Sequence, residues 1–181
     1  MTIMPKDPLL TAARWIINFF IAAMGLVILA CAIAVPATLF NQGEILDALA
    51  SDAKTVVAPN FFLGVSLTIV LLAAVVALGI WFLLLLRQIV GTVAAGDPFI
   101  GDNATRLSRM GWIALGAQAL AIPLAGSVIW LAGMVEDHDS VRLDHDVGFD
   151  FGGVILVLVL FILARVFRQG AAMREDLEGT V

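Results

Sequence analysis

The amino-acid sequence predicts an all-α membrane protein: a single integral-membrane domain over residues 1–181, folded as a four-transmembrane-helix bundle with both termini inside (N-in/C-in). Three observations carry this expectation. The chain is 61 % hydrophobic and only 14 % charged, with a mean hydropathy of +1.04, whereas a soluble domain carries about 25 % charged residues. Four apolar runs are each long enough to cross the ~30 Å hydrocarbon layer. Lysine and arginine fall almost entirely on one side of those runs.

Taken in order, the spans cover about residues 15–40, 61–86, 111–135 and 151–167. They are helices, because an open sheet in lipid leaves backbone groups unpaired. The first exceeds the length of a signal-peptide apolar region and is expected to be a retained anchor. "VILAC", ending at Cys31, resembles a lipoprotein cleavage box, the alternative that the length of the run opposes. The third span carries Ala117, Ala121 and Ala125 at four-residue spacing. Such a face admits a close helix, either within the bundle or in a homo-oligomer. Pro123 beside it is a candidate kink. The fourth span is the shortest, so it recruits Val147 to Phe149 or lets Arg165 snorkel.

Orientation follows from the ten basic residues. Lys6 and Arg14 precede the first span, Arg87, Arg106 and Arg109 lie between the second and third, and Arg165, Arg168 and Arg174 follow the fourth. Only Lys54 and Arg142 lie on the other side. The positive-inside rule then puts the loop of residues 87–110 and the tail of residues 168–181 in the cytoplasm, and the loops 41–60 and 136–150 outside. The expected location is a membrane crossed several times.

The spans hold no Asp, Glu, His, Lys or Arg in their cores, which counts against ion-coupled transport. Asn18 and Gln118 are of similar depth and suit a hydrogen bond between helices. A small-molecule transporter or exporter subunit needs a larger polar cavity than these two supply, and stands as an alternative. No nucleophile with a nearby base is visible, so no enzyme, catalytic residue or cofactor is expected. The single Cys, Cys31, excludes an internal disulfide.

The second outer loop reads "EDHDSVRLDHD", with Asp-His-Asp at 137–139 and again at 144–146. Imidazole and carboxylate suit zinc or manganese, and on a helix the seven-residue repeat would stack His138 and His145 on one face, with Asp139 and Asp144 as further candidate ligands. From Val141 onward, however, apolar and polar residues alternate strictly, a period that turns His145 away from its flanking acids. A solvated acidic loop is the favoured account. A metal-sensing membrane protein is a second alternative. "KTVV" in the first outer loop offers a short strand to pair with it.

The most irregular stretch is "GDPFIGDNATRLSRMGW", residues 96–112. Gly96 tolerates the conformations that end a helix, and Pro98 bars helical geometry at Asp97. Asp102 or Asn103 offers an oxygen to cap the next helix. Asn103, Arg106, Leu107 and Met110 then share one face. In the tail, Arg165, Arg168 and Arg174 can meet lipid phosphates, while Glu175, Asp176 and Glu178 are placed to pair with Arg106 or Arg109.

"GDPF" with Asn103, "RL" at Arg106 and Leu107, "GW" at Gly111 and Trp112, then "VFRQG", "MRED" and "EGTV", resemble the bacterial membrane-protein family known as Domain of Unknown Function 2975. The resemblance covers essentially the whole chain and implies four spans but no established activity. Its members are often encoded beside a small helix-turn-helix regulator of the Cro type. That implies, by association, a membrane-bound partner or antagonist of a transcription factor. The expected role is therefore a regulatory or sensor component on the lipid bilayer that engages a cytoplasmic helix-turn-helix partner, without touching nucleic acid directly. The expected inner-face residues are Asp97, Pro98, Phe99, Asn103, Arg106, Leu107, Arg109, Arg168, Gly170, Arg174 and Glu178.

Overall fold

The computed structural model describes residues 8–44, 60–134 and 151–178. These form four long helices: α1 (Pro8–Phe40), α2 (Phe61–Ala94), α3 (Gly101–Ala132) and α4 (Phe151–Glu178). Each contains a segment long and apolar enough to cross a membrane. The chain is a multi-pass, all-α membrane protein. The candidate metal ligands His138, Asp139, Asp144 and His145, the expected strand pair and Val147 to Phe149 lie outside the described residues.

The helices outrun the apolar spans. α2 continues past Arg87 to Ala94 and α3 begins at Gly101, so residues 95–100 alone connect them. α4 continues through Arg168 and Arg174 to Glu178. A helix need not stop where hydrocarbon ends, since its backbone groups are paired internally on either side of the interface.

The described residues fall into two compact units. The first holds residues 8–25 of α1, 78–94 of α2, the connection, residues 101–117 of α3 and all of α4. Its core is Leu85 and Ile89 from α2, Leu107, Met110 and Ile113 from α3, and Leu160 and Ala164 from α4. Leu78, Phe82, Leu86, Ala114 and Phe167 pack around it. The inward residues recur at spacings of three and four, for example Val157, Leu160, Ala164 and Ala171 on α4, which keeps one stripe of each helix on its neighbours. Gly111 of α3 admits the Phe161 ring, since a Cβ there would lie 3.1 Å from Cε1 and Cζ. Trp112 meets the same ring edge-on, with centroids 5.6 Å apart.

The second unit holds residues 26–44, 60–77 and 118–134. Here Gly64 of α2 lies under Trp130 and Leu131 of α3, and a Cβ would come within 2.8 Å of each side chain. Cys31 and Phe62 are buried. Ser127 and Thr68 donate to carbonyls of their own helices, Leu124 and Gly64. Thr38 and Ser66 approach at 3.5 Å across α1 and α2.

Large apolar side chains are exposed on every helix, among them Phe19, Leu63, Ile122, Ile155, Leu158 and Ile162. Soluble proteins do not leave so many uncovered. In a bilayer these side chains meet acyl chains, and burial inside the protein is reserved for small, polar or interlocking groups.

Candidate functional site

The connection between α2 and α3 is built by local rules. Gly96 has φ 83°, a left-handed conformation that disfavours any side chain. Its N–H donates to the Val93 carbonyl at 3.0 Å, and the Asp97 N–H donates to the Thr92 carbonyl at 3.1 Å. This pair of bonds is the Schellman helix stop. Pro98 follows, where a helix cannot resume through its neighbour.

Asn103, in the first turn of α3, is fully buried. Its Nδ2 donates to Thr92 Oγ1 at 2.7 Å and to the Pro98 carbonyl at 2.9 Å. Its Oδ1 accepts from Arg106 Nη1 at 2.8 Å. Thr92 Oγ1 in turn donates to the Ile89 carbonyl at 2.8 Å. The result is a relay from Arg106 through Asn103 and Thr92 to the backbone of α2, in which each donor polarises the next bond. The Pro98 carbonyl, left without a helical partner by the turn, is satisfied by it.

This corrects the capping expectation. The Asn103 oxygen takes an arginine, not an amide of its own first turn; its amide nitrogen staples the turn shut. The Asn103 backbone N–H is taken by the Ile100 carbonyl at 3.0 Å. Asp102 pairs with Arg106 one helical turn on, at 3.7 Å.

The connection is docked onto α4. The Phe99 ring sits on Gly170, where a Cβ would fall 2.8 Å from Cδ1. It also stacks obliquely on Phe167, with centroids 5.3 Å apart. Beyond this notch Arg174 donates to the Asp97 carboxylate. The structure thus adds a loop–tail ion pair of the other polarity: a tail arginine meets a loop acid, while the loop's Arg106 is engaged by Asp102 and Asn103. The Glu178 side chain lies outside the described residues.

Of the expected inner-face residues, Asp97, Pro98, Phe99, Asn103, Arg106, Gly170 and Arg174 are brought together in this one assembly. Leu107 belongs to the hydrophobic core beneath it. Arg109 points elsewhere, lining a groove with Leu78, Trp81 and Trp112. Arg168 is exposed and lines a second groove on α3 and α4. Sequence reasoning missed Thr92, although a lone hydroxyl four residues before the helix-stopping Gly96 was a legible signal. Among the described residues no cluster of His, Cys, Asp and Glu is suited to a metal ion.

A turn held by a buried amide is clamped by an aromatic ring and an ion pair to the end of another helix, on a four-span membrane protein. The family comparison agrees with the sequence motifs. The chain belongs to the family described as "Protein of unknown function (DUF2975)", whose model matches residues 46–181, from before α2 to beyond α4. Curated proteins and solved structures give no match.

Proposed function

We propose that this protein is a non-enzymatic regulatory or sensor component of a bacterial inner membrane, with both termini cytoplasmic, that holds a soluble partner at the face formed by residues 95–110 and the end of α4. The observation that carries this reading is the joining of Asp97 and Phe99 to Arg174 and Gly170. Two segments distant in sequence become one composite surface, of a kind that a folded partner can engage.

The end of α4 supports the reading further. Met173 and Leu177 are exposed, one helical turn apart, beyond the apolar span and flanked by Arg174, Glu175 and Asp176. Apolar anchors within a charged rim suit a protein interface. The resemblance-based expectation of a small helix-turn-helix regulator names the first partner to test. Co-purification from membranes should recover such a neighbour-encoded protein with the wild type, and lose it with Leu177→Glu, with Arg106→Ala or on removal of residues 171–181. Recovery of no cytoplasmic protein with the wild type would overturn the reading.

A further inference from the structure

Arginines near the α2–α3 connection differ in whether the protein's own acids engage them. Arg106 and Arg174 are engaged by Asp102 and Asp97. Arg165 and Arg168 have no carboxylate partner among the described residues. Both line an open groove of about 420 Å³ on α3 and α4, together with Ser108 and Gln169 and over a floor of Phe161 and Ala164. Among the described residues no acid lines this groove.

We infer that this groove binds the headgroup phosphate of an anionic phospholipid. Two guanidiniums at i and i+3 on α4, with a hydroxyl and an amide beside them, present donors suited to phosphate oxygens. Arg165 is the first charged residue after the apolar run of α4, so it stands at headgroup level. Leu158 and Ile162 are exposed and lie seven and three residues before Arg165 on the same side of the helix. They provide an acyl-chain track leading to the charges. A free phosphate ion would use the arginines but not that track. A zwitterionic lipid would bring its own cation against two arginines.

Native mass spectrometry of the intact protein in detergent, with phosphatidylglycerol and phosphatidylcholine at equal concentration, tests this. The wild type should retain the anionic lipid at least about tenfold more than the zwitterionic one, given roughly fivefold for each of the two interfacial cations. Arg165→Gln with Arg168→Gln should abolish that preference, whereas Arg14→Gln with Arg87→Gln, equal in charge removed, should keep it. If the first pair fails to fold, Ser108→Glu places an acid in the groove and should abolish the preference as well. Equal retention of the two lipids by the wild type, or equal loss in both pairs, overturns the proposal. So does displacement of the bound lipid by millimolar inorganic phosphate, which would identify a phosphate-ion site instead.

Discussion

The unit carrying the α2–α3 connection and the unit built from residues 26–44, 60–77 and 118–134 are cut from the same three helices, with α4 added to the first. Among the described residues, the buried apolar side chains other than Cys31 and Phe62 belong to the first. There, polar side chains reach between elements: Asn103 to Thr92, Arg174 to Asp97. In the second, Ser127 and Thr68 turn back to their own helices, and a glycine under two bulky side chains sets the approach of α2 and α3. The difference teaches where specificity is placed in such a chain. Hydrophobic burial cannot discriminate one apolar neighbour from another in lipid, so the second unit relies on close packing with a hydroxyl contact between Thr38 and Ser66, and the first adds a hydrogen-bonded turn to its packed core.

The largest expected effect comes from Asn103→Leu. It leaves the half-buried Pro98 carbonyl and Thr92 hydroxyl without their donor, at about 1–3 kcal/mol for each group that water does not reach. Thermal unfolding in detergent should fall by several degrees, at about 2–4 °C per kcal/mol for a chain of this size. Ser127→Ala should shift it by less than about 0.5 kcal/mol, because only a bond to the residue's own helix is lost. Equal losses would erase the distinction between the units.

Next in size is Gly64→Ala, which forces a methyl into Trp130 and Leu131 at 2.8 Å and should cost about 1–3 kcal/mol. Gly170→Ala meets Phe99 at the same distance, but that ring is 44 % exposed and can swing outward. Its cost should lie near the lower limit, about 1 kcal/mol. A larger loss at Gly170 than at Gly64 would show that the Phe99 notch is as stiff as the helix packing.

A double-mutant cycle of Thr92→Val and Asn103→Ala should return a coupling of about 1 kcal/mol, as for residues sharing one network. Additive losses would mean that the relay contributes no cooperativity. The smallest stability change is expected for Asp97→Asn or Arg174→Gln. With side chains 40 % and 47 % exposed, solvent screening leaves this pair about 0–1 kcal/mol. Its loss should nonetheless raise hydrogen exchange at the end of α4, and salt should mimic it. Unchanged exchange would assign the docking to Phe99 alone.

The site was legible to the extent that it obeys local rules. Gly96 and Pro98 announce a helix stop because backbone geometry depends on the residue and its immediate neighbours. Asn103 stood out as an amide at the start of a helix, and that position suggested a cap. Its burial instead follows from Thr92 and Pro98 coming back across the turn, a spatial fact that helical spacing does not contain. Both polarities of the loop–tail pair were compatible with charge attraction, and the register of α4 against the turn selects Arg174 with Asp97.

Hydropathy and residue type by themselves determined the helical class, the four apolar segments and the stop at Gly96, since lipid demands internally paired backbone and a left-handed turn favours glycine. Only the tertiary structure decided which arginines are engaged by the protein's own acids and which face a groove. A guanidinium pairs with whatever acceptor the packing of helices brings within a few ångströms, and that packing is set by interlocking side chains from segments remote in the chain.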